Sequence, residues 1–153
     1  KIFVVKKNIL ENPSLNCFLH WENFIKINGE KVELRHGEFL SKSNYSVQKQ
    51  LYKANYFSTS ALVCKKSLIE ESGGFDISLP NAQDYDLWLK MAPNIKLLII
   101  KELLGEYIEQ KNRPYVHRIF SELRLAIRHR KKGSVYLFYY KVFRLFITKQ
   151  WFY

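Results

Sequence analysis

Residues 57–91 read F-S-T-S-A-L-V-C-K-K-S-L-I-E-E-S-G-G-F-D-I-S-L-P-N-A-Q-D-Y-D-L-W-L-K-M. Ser60 to Cys64 is a short apolar run of strand type. Lys66 to Ser72 supplies a helical turn or two. Gly73-Gly74 stops it, because glycine adopts the left-handed backbone that ends helices without a Cβ penalty. Phe75 to Gln83 is polar loop with Pro80 inside it. Asp84 to Met91 is a helix opened by carboxylates, which suit a helix N-terminus, and Pro93-Asn94 breaks it. A strand followed by two helices, then more strand, points to a sheet with helices packed on it.

The flanks extend this pattern. Residues 1–11 read as a helix closed by Asn12-Pro13. Leu15 to Ile27 alternates as a strand, Asn28-Gly29 is a hairpin signal, and Lys31 to His36 alternates again. Residues 37–46 are polar and read as loop, and Val47 to Ala54 as a short helix. Lys96 to Lys101 and Leu103 to Ile108 read as two strands. Pro114 to Lys132 is a helix with Val116, Ile119, Phe120, Leu123 and Ile127 on one face. Gly133 ends it, and a second helix runs to about Lys149. The fold class is α/β with a small mixed sheet, and a C-terminal amphipathic helix pair follows it.

The 153 residues are 47% hydrophobic and 16% aromatic, enough for a packed core and unlike a disordered chain. No apolar run is long enough to span a bilayer. The chain starts at Lys1 and its one methionine is Met91, which reads as the middle of a longer protein. Cys17 and Cys64, far apart in sequence, read as two buried thiols of a reducing compartment, such as the cytoplasm, rather than as a disulfide. No CxxC or paired-histidine spacing suggests a metal site. His20, His36, His117 and His129 form no cluster and are assigned no catalytic role.

Charge divides the chain. The net charge is +11, yet residues 1–110 carry 14 basic against 13 acidic side chains, while residues 111–153 carry 11 basic and a single acid, Glu122. We therefore divide the chain into a body, 1–110, and a basic, aromatic tail, 111–153, with a polyanionic partner expected for the tail. Lys141, Arg144 and Thr148 form a narrow polar stripe on a helix otherwise apolar, with Phe143 and Trp151 among its aromatics. The preceding helix adds His117, Arg124, Arg128 and Lys131 along one face. Basic residues beside a wide apolar face fit an anionic membrane surface, with Lys141, Arg144, Phe143 and Trp151 facing it. Nucleic acid fits less well, since its sites expose more basic residues and fewer aromatics. The same face also suits packing on the body or on a second copy of the chain.

Five elements in order carry a resemblance: Ser58-Thr59-Ser60, Lys65-Lys66, Gly73-Gly74-Phe75-Asp76, Asp84-Tyr85-Asp86-Leu87-Trp88 and Leu104-Gly105-Glu106-Tyr107. Together they resemble glycosyltransferase family 2, enzymes of the GT-A fold that build bacterial surface polysaccharides. Leu10-Glu11-Asn12-Pro13 and Asn28-Gly29 extend the likeness more faintly, so it covers about residues 8–110, the acceptor-side half of such a domain. The resemblance implies a nucleotide-sugar donor, a glycan or lipid-linked acceptor and a divalent metal, Mg or Mn, with the donor and metal ligands lying mostly upstream of Lys1. It implies a cytoplasmic enzyme, peripheral at the inner face of the membrane.

By the same resemblance Asp84 is the general base, and Asp76, Gln83, Asp86 and Trp88 lie on the acceptor side. Transfer with inversion needs one carboxylate to take the proton of the attacking hydroxyl, and a loop-to-helix junction aims one into a cleft. Spacing alone allows Asp84 to be an N-cap instead. Asp76 equally suits a loop cap, Trp88 a core position and Asp86 the helix dipole. Phe75 reads as core, and Gly73-Gly74 as a helix cap and tight turn. Asp84-x-Asp86 matches the letters of a metal-binding DxD, but it opens a helix rather than ending a strand. The family usually has Glu at Gln83 and often His near Gln110, so direct metal contact from this half is doubtful.

Overall fold

The computed structural model describes residues 1–41, 45–109, 115–130, 138–140 and 142–143, with the backbone alone for 41 and 115–119. It is a mixed α/β structure. Helix α1 (Ile2–Glu11) ends where the Asn12 amide donates to the carbonyls of Asn8 and Ile9, just before Pro13. Strand β1 (Cys17–Ile25) follows and turns into β2 (Lys31–Leu34), antiparallel to it. Gly29 in the turn has φ of 84°, a value that glycine accepts freely.

Strand β1 is the centre of the sheet. One edge pairs antiparallel with β3 (Leu62–Cys64) at residues 17–19 and with β2 further along. The other edge pairs parallel with β4 (Leu97–Ile108) over its whole length. The two strands read from 96–108 are thus one. The polar Lys101-Glu102 step that interrupts the alternation is absorbed where the register shifts, between His20 and Trp21 and again before Glu22.

The loop read at 37–46 contains a helical turn, α2 (Glu38–Ser41). Gly37 has φ of 73°, its carbonyl accepts from the Leu40 amide, and Leu40 is buried. One anchored leucine outweighs a polar composition. Helices α3 (Val47–Lys53), α4 (Lys66–Glu71), α5 (Gln83–Met91) and α6 (Tyr115–Arg128) complete the layers, with a 3₁₀ turn at Ala92–Asn94.

Period-two alternation along β1 sorts the core onto two faces. Cys17 and Leu19 join Leu51, Tyr52, Leu87, Trp88, Leu89 and Met91 under α3 and α5. Phe18 joins Val5 and Ile100 under α1. Each large apolar side chain so buried contributes about 1.5–3 kcal/mol. Leu125 of α6 belongs to the larger cluster, and the Tyr52 hydroxyl donates to the Ala126 carbonyl at 2.9 Å. The change of charge near residue 110 is therefore not a break in packing: α6 is built into the body.

Cys17 and Cys64 are far apart in sequence only. They are register partners on β1 and β3, both free thiols, Cys17 fully buried and Cys64 partly exposed.

Candidate active site

The site gathers around the first turn of α5. Behind it, α4 ends in a Schellman turn: the Gly74 amide donates to Ile69 O and the Gly73 amide to Glu70 O, both at 3.0 Å. The two glycines have φ of 65° and 80° respectively. This is the helix cap and turn the sequence indicates. Phe75, read as core, is instead 47% exposed, because two successive left-handed residues turn the chain outward before it can reach the interior.

Asp76 closes the next turn. Its Oδ1 accepts from the Ser78 amide at 2.9 Å and the Ser78 hydroxyl at 2.6 Å, while Oδ2 pairs with Arg128 at 2.7 Å. The Ser78 hydroxyl and then the Arg128 guanidinium hold this carboxyl down at about 2. Of the two roles open to it, Asp76 fills the loop cap. Gln83 is likewise turned to its own loop, its amide donating to Leu79 O at 2.7 Å.

Helix α5 begins at Gln83, one residue earlier than the spacing indicates. Its N-cap is Ala82, a non-glycine residue at φ of 56°. Asp84 is therefore not the cap but the second helical residue. It is half-buried. One carboxylate oxygen accepts from the Thr59 hydroxyl at 3.1 Å, and the other from the Tyr85 amide at 2.7 Å. The Ser58 and Ser60 hydroxyls lie 2.8 Å apart beside Thr59, and the Lys1 ammonium donates to the Ser60 carbonyl. The chain thus brings Ser58-Thr59-Ser60 and Asp84, separated in sequence, to one partly solvated corner.

Asp86 faces the opposite way. It is fully buried. Its Oδ1 lies 2.8 Å from His129 Nε2 and 3.4 Å from Arg128 Nε, and its Oδ2 lies 3.2 Å from the Lys90 ammonium. Lys90 also donates to the Gly74 carbonyl at 2.6 Å. Asp86 thereby fastens α6 and the glycine turn to α5, and no part of it faces a ligand. Trp88 is 3% exposed and meets Phe57 edge-on, ring centroids 6.2 Å apart; it fills the core. Since Asp84 and Asp86 diverge and Asp86 is held by Lys90, Arg128 and His129, the DxD letters form no two-carboxylate metal site. Among the described residues no group of three or more His, Cys, Asp or Glu side chains is placed to hold a metal.

Two polar clusters escaped the sequence reading, both involving histidines given no role. One is His129 on Asp86. The other lies on the α1 side of the sheet, where His20 and Glu22 are buried and His36 Nε2 is 3.1 Å from Glu22 Oε2. A Cβ on Gly105 would come within 2.9 Å of Glu22 Oε1, so the glycine makes room for this carboxylate. The available signal was that His20 and Glu22 share a strand face with Phe18 and Phe24, a period that places both inside.

Burial lowers the His36 pKa from its ordinary 6.5, against the opposing pull of Glu22. A histidine whose folded value is depressed takes up its proton more readily when unfolded, so its contribution to stability is complete above about pH 6.5 and is lost as pH falls below it. Urea midpoints measured from about pH 7.5 down to about pH 5 are expected to decline for the wild type. His36→Gln, which retains a donor for Glu22, is expected to flatten that decline. Asp76 responds only at far lower pH.

No protein-family model matches the chain, and no curated protein matches it significantly.

On the tail, Phe120, Ile127, Tyr139 and Phe143 are exposed at 64%, 46%, 66% and 65%. The buried face of α6 is not the stripe read from sequence. Glu122, Leu125, Ala126 and His129 point inward, and Phe120 and Ile127 point out. Arg128, read with His117, Arg124 and Lys131 as one basic face, pairs instead with Asp76 and Asp86. Lys141, Arg144, Trp151 and Gln110 lie outside the described residues. No helix among the described residues is long and apolar enough to cross a membrane.

Proposed function

We propose that the chain is the acceptor-side half of a family 2 glycosyltransferase of GT-A fold. The enzyme would move a sugar from a nucleotide-sugar donor to a glycan or lipid-linked acceptor in bacterial cell-surface polysaccharide synthesis. The observation that carries this reading is the corner where Thr59 meets Asp84. Of the acidic residues the resemblance singles out, Asp84 is the one whose carboxylate is neither buried nor held by a cation.

Asp84 takes the proton of the acceptor hydroxyl as that oxygen attacks the anomeric carbon, and the nucleoside diphosphate departs. Thr59 keeps the carboxylate turned toward the corner. Asp86 acts from behind by fixing α5 against α6 and the Gly73-Gly74 turn, so Asp86, Asp76 and Gln83 position the site rather than touch the acceptor. A divalent metal, when bound to the longer enzyme, would neutralise the leaving phosphate. The described residues assemble no donor set for it, and none of the steps assigned to this chain runs through it.

Turnover tests the reading. A longer protein carrying this chain, incubated with a panel of nucleotide sugars and lipid-linked acceptors, is expected to release nucleoside diphosphate only when acceptor is present. Calorimetry on the 153-residue chain alone is expected to give no binding of nucleotide sugar with Mg or Mn. Metal-dependent micromolar binding by the isolated chain would contradict the assignment of the donor side elsewhere.

A second reading, compatible with the first, rests on the outward apolar residues of the tail. Phe120 and Ile127 stand exposed on α6 with the exposed Arg124, Arg130 is exposed just after it, and Tyr139 and Phe143 are exposed further along the chain. We propose that this surface docks on an anionic leaflet at the inner face of the membrane, each basic residue near it contributing about 1 kcal/mol. Co-sedimentation with phosphatidylserine vesicles is expected at low salt and should weaken at high salt. A chain that ignores such vesicles at low salt excludes the membrane and leaves a second copy of the chain, or nucleic acid, to cover this surface.

A further inference from the structure

We infer that Cys17 and Cys64 are a modification site, a dithiol that closes reversibly to a disulfide between β1 and β3. The two residues are opposed in register. The ladder around them settles the type of pair. The Lys65 amide donates to Asn16 O at 2.9 Å and the His20 amide to Ala61 O at 3.1 Å, which makes 16/65 and 20/61 hydrogen-bonded pairs. Antiparallel pairs alternate, so 17/64 is a non-hydrogen-bonded pair, whose Cα atoms stand about 4.5 Å apart with side chains close. A disulfide spans Cα separations of about 4.4–6.8 Å. Strand pairing alone therefore brings the sulfurs within bonding reach, without movement of the backbone.

The two thiols are unequal. Cys17 is fully buried, and Cys64 is partly open to solvent. The neighbouring Cys17 draws the Cys64 thiol below its ordinary pKa, while the nearness of Cys64 and burial push Cys17 far above. Cys64 is thus the attacking sulfur and Cys17 the resolving one.

With a low-molecular-weight disulfide such as oxidised glutathione as oxidant, the Cys64 thiolate attacks one glutathione sulfur. That S–S bond breaks, a mixed disulfide forms and one glutathione thiol leaves. Cys17 then attacks Cys64 Sγ, and its proton goes to the second departing glutathione thiolate. The two cysteines are oxidised and the one glutathione disulfide is reduced to two thiols. The bridge closes the chain from Cys17 to Cys64, enclosing β2, α2, α3 and Ser58-Thr59-Ser60. It lies on the sheet face that packs against α5. This inference does not depend on the proposed reaction.

The test is equilibration of the native 153-residue chain in glutathione buffers of increasing oxidising strength. Acid quenching, unfolding and alkylation follow, with peptide mapping by mass spectrometry. The expected result is that both alkylation sites vanish together in one transition and a linked Cys17–Cys64 peptide appears. The urea midpoint should rise on oxidation and return on addition of dithiothreitol. Cys17→Ala should stop one step earlier, with glutathione attached to Cys64. Should that variant fail to fold, the wild-type peptide map decides. Two alkylatable thiols at the most oxidising setting, or bridges found only between different chains, would overturn the inference.

Discussion

Asp84→Asn, introduced into a longer protein carrying this chain, is expected to lower sugar transfer by about 10²–10⁴-fold, the usual loss when a general base is removed. The substitution is close to isosteric. An asparagine oxygen can still accept from the Thr59 hydroxyl that now reaches Asp84 at 3.1 Å, so the first turn of α5 should keep its form. Melting temperature and donor affinity should therefore stay near wild type while turnover collapses. Thr59→Val is the graded companion: it removes a hydrogen bond worth about 1 kcal/mol and leaves the base in place, so transfer should fall by about tenfold or less. Undiminished turnover by the Asn variant would remove Asp84 from the reaction.

Asp86→Ala is expected to be the most damaging single change to stability. The carboxylate is fully buried and meets His129 at 2.8 Å, Lys90 at 3.2 Å and Arg128 at 3.4 Å. Removing it takes the carboxylate away from the buried His129 and from a Lys90 side chain only 20% exposed. Breaking a buried pair from one side costs about 3–5 kcal/mol, a fall in Tm of about 10 °C for a domain of this size. Helix α6 should loosen first, since Asp86 and Asp76 hold Arg128 at its C-terminal end, and limited proteolysis there would report it. Asp86→Asn, which keeps an acceptor for His129, should fall between this variant and wild type. Thermal melts that place Asp86→Ala within a degree or two of wild type would show that the cluster holds nothing together.

How far the sequence led depends on whether a feature was local. The Gly73-Gly74 turn, the Asn28-Gly29 hairpin and helices α1, α3, α4 and α5 follow from capping residues and short-range periodicity, and each lies within a residue or two of its reading. The joining of 96–108 into one strand required knowing that β1 pairs along its whole length and tolerates an irregular register. The inward face of α6 was not legible from its apolar stripe, since Phe120 and Ile127 of that stripe stand exposed. The helix turns Leu125 and Ala126 inward together with Glu122 and His129, and His129 meets there an aspartate 43 residues away. That pairing has no sequence signal. The divergence of Asp84 and Asp86 was partly legible, as residues two apart on a helix cannot share a face. Lys90 on the same helix was within reach of Asp86, but Arg128 and His129 come from a segment whose charge pointed elsewhere.

The account stands most directly on a single carboxylate acting as base, and a one-base displacement inverts the anomeric carbon. The measurement is the NMR configuration of the linkage formed by a longer protein carrying this chain from a nucleotide sugar of known anomer, with the first product analysed before any rearrangement. The account predicts acceptor-dependent formation of the inverted anomer alone, lost in Asp84→Asn. A retained configuration, or no acceptor-dependent product from any nucleotide sugar, would contradict it.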